Sequence, residues 1–459
     1  MTYSWSWPSS KRVNLVSHFS TRILETNLAS GRQTATWRAA IASYRKPEVI
    51  SLVFLGFSAG LPYLLVFATL TAWLRDEGVS RSAIGFFAWI GMMYSIKVVW
   101  APFVDQLKLP FLGERLGQRR SWMLLGQLGI VIALAGMSLV GADSLGLLAL
   151  LALLVAFSSA TQDVAIDAYR IEIADVSQQA ALSAGYIAGY RTALLVSGAG
   201  ALYAAEYLGW TAAYQVMATC GLVGVLTTLL IKQPQATVQG EAGVGWEKSW
   251  WRWVVGLFVD PITNFLQRNG QFALFILAFI AMYRLSDITM GIMANPFYLD
   301  LGFTKLEIAN IAKGLGFGVS LFGSFLGGVL VLRFGLLPTL LTGAVLVATT
   351  NILFASLALF EPSLLGLAII ISADNLSGGI AATSFVAYLS SLTATAYTAT
   401  QYALFSSLMT LPGKFTSGFS GIIVDGLGYP TFFLLSGLFG LPAILMVFYL
   451  LRREQQSVH

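Results

Sequence analysis

Charged residues are scarce in this chain of 459 residues: Asp, Glu, Lys and Arg make up 11% of it, whereas a soluble domain carries roughly a quarter. Hydrophobic residues make up 56%, and the mean hydropathy is +0.74. A water-soluble core of this length does not need so much apolar sequence, so the composition indicates a protein that crosses a membrane several times. Ten-residue segments of alternating polarity are absent as well, which excludes an outer-membrane barrel.

Cysteine and histidine are almost missing. Cys220 is the only cysteine and has no partner for an intrachain disulfide, and the two histidines, His18 and His459, lie in polar terminal segments. No Cys/His cluster offers a metal site, and no histidine lies in an apolar run where it could activate a serine. We therefore expect no metal and no cofactor, and an intramembrane enzyme such as an acyltransferase is the least favoured function.

The first 45 residues are polar, rich in Ser and Thr, and basic, with Glu25 as the only acid. They contain no apolar segment followed by a cleavage site, so they do not resemble a secretory signal. A transit peptide is one interpretation. A disordered cytoplasmic tail, or a start placed too far upstream, is favoured over it.

Apolar runs bounded by polar residues or by Gly and Pro predict twelve membrane-spanning helices, because about 20 residues that each rise about 1.5 Å cross a bilayer. Numbered as spans one to twelve, they are 50–74, 82–105, 120–140, 146–169, 180–205, 211–231, 271–298, 304–332, 337–359, 363–391, 396–424 and 430–451. The predicted units are a basic tail (1–49), a six-helix bundle (50–231), a linker (232–270), a second bundle (271–451) and a short tail (452–459).

Lys and Arg are distributed unevenly between the two sides of these spans. If both ends of the chain are cytoplasmic, five of the 27 lie deep within spans, and only Arg75, Arg81 and Lys305 lie on the outer side. The other 19, among them Arg120 at the end of span three, lie on the cytoplasmic side. This bias is typical of cytoplasmic loops, and it explains the net charge of +5 without nucleic acid binding. We therefore expect both termini in the cytoplasm.

The two predicted bundles repeat each other. "WLRDEGVSRSAIG" after span one matches "FYLDLGFTKLEIA" after span seven, with Gly78 opposite Gly302, and "SGAGALYAAEYLGW" from Ser197 matches "SGFSGIIVDGLGY" from Ser417. The offsets are 224 and about 220 residues. An in-order repeat of six helices predicts two halves of the same orientation related by an axis along the membrane normal, which is the all-α architecture of major facilitator transporters.

The linker contains the segment "WEKSWWRWVVGLF", which places Trp246, Trp250, Trp253 and Leu257 at helical spacing. Trp and basic residues are typical of the lipid headgroup layer, so the segment predicts an interfacial helix. A helix that binds a partner protein is the alternative.

Two aspartates lie in span four, directly after a wholly apolar run. Asp163, Asp167 and Arg170 follow an i, i+4, i+7 pattern and share one helix face. A carboxylate in hydrocarbon is costly, so both acids are expected to face the protein interior or a hydrated cavity. Asp167 is favoured as a structural partner of Arg170, and Asp163, which lies deeper beside Gln162, is favoured as a proton carrier or substrate contact.

Further charges fall inside the predicted spans. They are Lys97 in span two, Arg191 in span five, Arg284 and Asp287 in span seven, Lys313 in span eight, Asp374 in span ten and Lys414 in span eleven. No charge lies deep within spans three, six, nine or twelve, so the pattern predicts a polar central path. With Asp163 and Asp167, the embedded charges are five cations and four anions, which predicts an anionic or zwitterionic substrate. Arg284 and Asp287 are expected to pair, and snorkelling to an interface is the alternative for Lys97 and Lys414.

Aromatic side chains beside these polar groups are candidate surfaces on which a sugar could stack. They are Tyr63, Trp89, Tyr94, Tyr190, Tyr283 and Tyr402. Ordinary packing is the alternative for each of them.

Residues from about 50 to 440 resemble the anhydromuropeptide permeases of the bacterial inner membrane. The resemblance rests on "GFSAGLP" at Gly56, "TLTAWL" at Thr69, "KVVWAPFVD" at Lys97, "SATQDVAIDAY" at Ser159, "GYRTALLVSG" at Gly189, "RLSD" at Arg284, "AKGLG" at Ala312, "DNLSGG" at Asp374 and "TATQYALFSSL" at Thr398. It implies a proton-driven importer of GlcNAc-anhydroMurNAc peptides for peptidoglycan recycling. The basic tail, and Asp374 where the family more often has Glu, are departures from its pattern.

The resemblance also implies roles for single residues. Asp163 and Asp167 match the family's paired acids, Arg191 its Gly-Tyr-Arg motif, and Lys313 and Gln401 polar residues of its second half. Together with the embedded charges these predict a substrate site formed by Lys97, Gln162, Tyr190, Arg191, Arg284, Asp287, Lys313, Asp374, Gln401 and Lys414. A cytoplasmic gate is expected at Asp105, Arg119, Arg120 and Arg170, and the segment around Arg333 lacks the matching acid, so the second half is not expected to repeat the gate.

The predicted partners are therefore an anionic glycopeptide, protons and the lipid bilayer, with a monomer as the expected state. A facilitator for another anionic metabolite, such as an acyl-CoA or a peptide, is the alternative within transport. A receptor that transports nothing is a further alternative.

Overall fold

The computed structural model describes residues 36–79, 87–141, 144–234, 250–359, 362–417 and 419–456. Its helices are Trp37–Ala42 (α1), Pro47–Leu65 (α2), Ala68–Asp76 (α3), Met92–Ile96 (α4), Ala101–Gln106 (α5), Leu112–Leu116 (α6), Gln118–Val140 (α7), Leu145–Glu172 (α8), Gln179–Leu195 (α9), Ala201–Leu230 (α10), Trp250–Asn269 (α11), Phe272–Tyr283 (α12), Leu285–Asp300 (α13), Lys305–Ile308 (α14), Gly316–Phe334 (α15), Leu336–Leu359 (α16), Leu364–Leu392 (α17), Thr398–Ser417 (α18), Ser420–Leu438 (α19) and Leu441–Gln456 (α20). Within these ranges the regular structure is entirely helical, which confirms the all-α class.

Nine helical stretches of the described chain are long and apolar enough to cross a membrane. Two of them, Val176–Leu230 and Ser420–Gln456, have 55 and 37 residues and are longer than one crossing needs. Span two is not among the nine, because it lies partly outside the described ranges and consists of α4, α5 and short 3₁₀ turns. Twelve crossings therefore stay a prediction.

Apolar side chains cover the outside of these helices. Ile132 and Leu139 on α7 are 65% and 78% exposed, and Leu365 and Ile369 on α17 are 72% and 58% exposed. Exposed apolar surface on this scale is costly in water and favourable against lipid chains. The outer surface therefore fits a bilayer, as the composition predicts.

The backbone repeats where the sequence does. Gly209 in the first half and Gly428 in the second have φ of 81° and 77°, and both bend a long helical stretch. Gly78 and Gly302, matched by the other repeat, have φ of 77° and 88°. Positive φ is strained for residues with a Cβ, so glycine is needed at each of these turns. The matched sequences thus form matched turns in the two halves.

Small and polar residues hold the helices of the first half together. The Gln162 amide of α8 donates to the Ser58 carbonyl of α2 over 2.8 Å, and the Ser58 hydroxyl donates back to Gln162 Oε1 over 3.0 Å. A Cβ on Gly224 of α10 would lie 2.0 Å from Ser58 Oγ, so only glycine allows this approach. Close packing through small residues is the usual means of helix association in membranes.

Aromatic rings fill the core of the second half. The Tyr283 ring stacks on Phe385 with centroids 4.2 Å apart, and its hydroxyl donates to the Leu340 carbonyl over 3.0 Å. Phe279 lies edge-on to Phe385 and to Tyr388. Tyr283 is therefore a core residue, which corrects its prediction as a stacking surface for substrate.

Helix α11 lies in the predicted linker. Phe265 of α11 packs against Phe405 of α18 with ring centroids 5.1 Å apart, and the Gln401 amide of α18 donates to the Pro261 carbonyl over 2.9 Å. Trp246 and the side chains of Trp250 and Trp253 lie outside the described residues. The linker thus contributes a helix that packs on the second half.

Candidate functional site

We name the end of the bundle that carries Asp105, Arg119 and Arg170 the inner end, because the charge bias predicts that it is cytoplasmic. There Arg119 at the start of α7 contacts two acids, Asp105 at 2.9 Å and Glu172 at 2.6 Å. The Arg119 guanidinium also donates to the Thr398 hydroxyl of the second half over 2.9 Å. We name Asp105, Arg119, Glu172 and Thr398 the latch. Glu172 was missed by the sequence analysis, although its place at the end of α8 offers a partner for a loop arginine.

Asp105 also joins the two halves directly. Its carboxylate accepts hydrogen bonds from the backbone N–H of Ala399 at 2.9 Å and of Thr400 at 2.7 Å, in the first turn of α18. The Asp105 side chain is only 1% exposed. A carboxylate at a helix N-terminus satisfies free N–H groups and interacts favourably with the helix dipole. An acid of the first half therefore caps a helix of the second half.

Arg120 is not part of this latch, which corrects its prediction as a gate residue. Its guanidinium donates to the carbonyls of Thr228 at 2.9 Å and Leu229 at 2.7 Å. Those carbonyls belong to the last turn of α10, where acceptors have no partner within the helix. Arg120 therefore caps α10 within the first half.

A second layer of contacts surrounds Arg170, which is fully buried. Its guanidinium donates to Ser183 of α9 at 3.0 Å and to Ser390 of α17 at 2.8 Å. It also contacts Asp167 at 3.2 Å and lies 5.0 Å from the ring centroid of Tyr402. Asp167 and Tyr402 are thus partners of a residue that bridges the halves.

The turn after α1 adds a third contact between the halves. The Tyr44 hydroxyl donates to the Phe325 carbonyl of α15 over 2.9 Å, and the two rings are 4.6 Å apart. A Cβ on Gly328 would lie 2.0 Å from the Tyr44 oxygen and 3.1 Å from the Ala180 carbonyl. Glycine at 328 therefore allows Tyr44 to enter the seam between α9 and α15, and the three layers together close the inner end.

Asp163 lies on α8 above these layers. It is partly buried, and its Oδ1 is buried with no hydrogen-bond partner among the described residues. Lys97 and Asp167 are close enough to interact with it electrostatically, but among the described residues Lys97 forms no ion pair with it within 4 Å. Asp163 therefore faces the protein interior and is not locked in a salt bridge.

Tyrosines surround Asp163. Tyr94, Tyr186 and Tyr190 lie within electrostatic range of its carboxylate, and Tyr63 lies edge-on to Tyr94 with centroids 5.7 Å apart. We name Tyr63, Tyr94, Tyr190 and Asp163 the tyrosine cluster. The Tyr94 hydroxyl and Ser159 Oγ are both buried and lie close to each other, and neither has a further polar partner in the described part of the chain. Trp89, another predicted stacking surface, has a side chain outside the described residues.

A cluster of four charges lies beside another face of α9, around Arg191. Arg284 and Asp287 form an ion pair, as their spacing predicts. Arg191 interacts electrostatically with both of them and with Asp374 of α17. We name these four residues the charge cluster, which joins Arg191 of the first half to three residues of the second.

Several residues predicted to bind substrate lie elsewhere. Gln162 is fully buried and hydrogen-bonded to Ser58. Gln401 accepts a hydrogen bond from the Ala394 N–H at 2.8 Å and donates one to the Pro261 carbonyl. Both amides hold helices together, which corrects their prediction as substrate-binding residues. Lys414 is exposed and donates to Ser95 Oγ over 3.1 Å, on the seam between α4 and α18. The Lys313 side chain lies outside the described residues.

The arrangement has the parts of a transport site, namely partly buried charges in membrane-spanning helices around α9 and a closed inner end. The described residues include no group of three or more His, Cys, Asp and Glu that could hold a metal ion.

Comparison with known proteins gives a consistent result. The Major Facilitator Superfamily profile matches residues 52–415. The chain is 34% identical over 410 residues to a proposed transporter, AmpG 4, of Rickettsia conorii, covering 89% of this chain and 97% of that one. It is 31% identical over 407 residues to the anhydromuropeptide permease of Escherichia coli K12, covering 88% and 80%.

Solved structures resemble it in fold. The proton:xylose symporter XylE aligns with a TM-score of 0.64 at 13% identity, covering 88% of this chain and 94% of that one. The human organic anion transporter MFSD10 aligns with a TM-score of 0.59 at 14% identity, covering 88% and 100%. The chain therefore belongs to the Major Facilitator Superfamily and, within it, to the anhydromuropeptide permeases, so it is a secondary transporter in a membrane and not an enzyme.

Proposed function

We propose that the chain imports anhydromuropeptides (GlcNAc-anhydroMurNAc peptides) across the bacterial inner membrane into the cytoplasm, for peptidoglycan recycling, and that proton entry drives the import. Support for the substrate comes from relatives named AmpG and anhydromuropeptide permease, at 31–34% identity over nearly 90% of the chain. The driving force is a proton gradient and no cofactor takes part. One chain supplies both halves, so we propose that it works as a monomer.

The observation that carries the proton coupling is the unpartnered Oδ1 of Asp163. A buried carboxylate without a hydrogen bond or counterion is costly in its charged form, and a bound proton removes that charge. Asp167 differs because it contacts Arg170 at 3.2 Å. We therefore assign the proton to Asp163 and assign Asp167 to holding Arg170 in place.

Transport then proceeds by alternating access of the two halves. With the latch, Arg170 and Tyr44 in contact, the inner end is closed and the site is loaded from the other side. The bound substrate and a proton on Asp163 neutralise charges in the site. This lowers the cost of removing water from the site, so the two halves can close around the substrate. Opening of the inner end then requires the latch to separate, since the contacts of Asp105 and Arg119 to α18 cross the interface between the moving halves.

Uptake into proteoliposomes tests this function. Labelled anhydromuropeptide should accumulate only when an inward proton gradient is imposed. Asp163→Asn should abolish accumulation yet retain counterflow exchange, because a neutral side chain permits the conformational change but carries no proton. Asp175→Asn, at the start of the loop after α8, is the matched control and should behave like the wild type.

Two results would contradict the proposal. Gradient-driven accumulation in Asp163→Asn would remove the proton from that residue. Absence of muropeptide uptake in the wild type, together with uptake of an acyl-CoA or a free peptide, would favour the other anionic substrates, which the partly buried guanidinium of Arg191 could also engage.

A further inference from the structure

Helix α9 contributes neighbouring residues to two chemically different clusters. Tyr190 and Arg191 are consecutive, so their side chains leave the helix about 100° apart. Tyr190 lies near Asp163, Tyr94 and Tyr63. Arg191 lies near Arg284, Asp287 and Asp374. A ligand that passes α9 therefore meets aromatic hydroxyls near Tyr190 and paired charges near Arg191.

The tyrosine cluster has the chemistry that recognises a sugar. Aromatic faces stack on the apolar faces of sugar rings, and the buried Tyr94 hydroxyl and the unpartnered Asp163 Oδ1 supply a donor and an acceptor for sugar hydroxyls. Ser159 Oγ, beside Tyr94, is a further buried polar atom with no other partner in the described structure. Buried groups of this kind are expected to be satisfied by water or by a ligand.

The charge cluster has the chemistry that recognises a zwitterion. Its two guanidinium groups and two carboxylates have a net charge of about zero. A ligand with a single charge would therefore leave the site with a net charge, whereas a ligand with one ammonium and one carboxylate group would not. Arg191 has no ion pair or hydrogen bond within the described residues, and Arg284 Nε is buried without a partner. A guanidinium binds a carboxylate through two parallel N–H donors, and Asp374 and Asp287 offer acceptors for an ammonium group.

We propose that the site is bipartite: the tyrosine cluster binds the glycan end of the substrate, and the charge cluster binds an amino-acid zwitterion at its peptide end. Arg191 takes the carboxylate of that zwitterion and Asp374 its ammonium group. Because Arg191 and Asp374 belong to different halves, the zwitterion also draws the two halves together. This inference rests on the proposed function, since it assigns ends to a muropeptide.

Binding of three ligands to the purified full-length chain tests the assignment. The probes are a synthetic anhydromuropeptide with a free amine and free carboxylates on its peptide, the same compound with the amine acetylated, and the same compound with the carboxylates converted to amides. The wild type should bind each modified probe at least about tenfold more weakly than the parent, the usual effect of losing a charged hydrogen bond.

Variants separate the two contacts. In Arg191→Gln, amidation of the probe should weaken binding by less than about threefold, while acetylation should weaken it as much as in the wild type. In Asp374→Asn, acetylation should weaken binding by less than about threefold, while amidation should weaken it as much as in the wild type. Arg191→Lys should restore part of the preference for the free carboxylate. Tyr94→Phe should weaken the binding of all three probes by the same factor, because Tyr94 contacts the glycan end, which the three probes share. Thermal unfolding of each variant confirms that it is folded.

The outcomes are distinguishable. If the wild type binds none of the probes, the proposed function fails. If it binds all three equally, or if Arg191→Gln keeps the full amidation penalty in a folded protein, the bipartite site is wrong while muropeptide transport stands.

Discussion

Asp105 of the first half caps α18 of the second half, with one carboxylate oxygen 2.7 Å from the Thr400 nitrogen and 2.6 Å from its hydroxyl. The same residue contacts Arg119 at 2.9 Å. One buried acid therefore stabilises a helix terminus and an ion pair at the interface between the halves. Separation of the inner end breaks the cap, whereas the ion pair lies within the first half.

Asp105→Asn should open the inner end. The variant loses the charge that interacts with the helix N-terminus and with Arg119, which we expect to weaken closure by about 2 kcal/mol. Hydrogen–deuterium exchange at the Ala399 and Thr400 amides should accelerate by roughly 30-fold, the equivalent of that free energy. Exchange as slow as in the wild type would show that the cap does not control closure.

Arg119 and Arg120 should differ in effect although they are neighbours. Arg119→Gln leaves Asp105 and Glu172 without their shared cation, so the inner end should open and gradient-driven uptake should fall by at least about tenfold. Arg120→Gln removes only two bonds to the end of α10 and should lower the free energy of unfolding by about 1 kcal/mol, with uptake within about twofold of the wild type. Uptake and thermal unfolding are measured for both variants. An equal loss of uptake in both would contradict the assignment of Arg119 to the latch and of Arg120 to the cap of α10.

Gly328→Ala should displace Tyr44 from the seam. The added Cβ would occupy the position of the Tyr44 oxygen, whereas Tyr44→Phe removes only the bond to Phe325. Gly328→Ala should therefore accelerate hydrogen exchange in residues 37–46 more than Tyr44→Phe does. Gly314→Ala is the matched control, because its Cβ would meet nothing within 4 Å.

The Tyr44 contact should not depend on pH in the physiological range. Burial raises the pKa of the Tyr44 phenol well above its usual value of about 10. A raised pKa in the folded state means that the stabilisation is fully present below about pH 10 and is lost only as the pH rises towards the folded value. Exchange of residues 37–46 should therefore be constant from pH 6 to pH 9 after correction for the intrinsic rate. A rise within that range would contradict the assignment of Tyr44 as a neutral donor.

Gln162→Ala should affect stability and leave ligand affinity unchanged. The variant leaves Ser58 without its partner in a buried site, which costs about 1–3 kcal/mol of unfolding free energy. Gln215→Ala, on an exposed face of α10, should change it by less than about 0.5 kcal/mol. Thermal unfolding and muropeptide binding test both variants, and a weakened affinity in a stable Gln162→Ala protein would return Gln162 to the substrate site.

Much of the fold follows from local sequence. Apolar runs identify membrane helices because the bilayer requires about 20 apolar residues per crossing, and repeated glycines identify matched turns because positive φ favours glycine. Gly209 and Gly428 show this clearly, since their matched sequences have nearly the same backbone angles. The pairing of Arg284 with Asp287 was equally predictable from an i, i+3 spacing.

The partners of polar side chains were less predictable. Nothing in the spacing shows that Gln162 bonds Ser58, that Arg120 caps α10 while Arg119 joins the latch, or that Glu172 completes it. Each of these contacts joins residues more than 50 positions apart, so it depends on how the helices are rotated and packed.

The sequence alone determined that this protein lies in a membrane, that it consists of two similar halves, and that acids and bases lie within its helices, because composition, repetition and hydropathy are properties of the chain itself. The tertiary structure decided which of those charges are paired, which gather around Arg191 of α9, and which close the inner end. The reason is geometric: helix periodicity fixes the face on which a residue lies, but only packing fixes what that face meets.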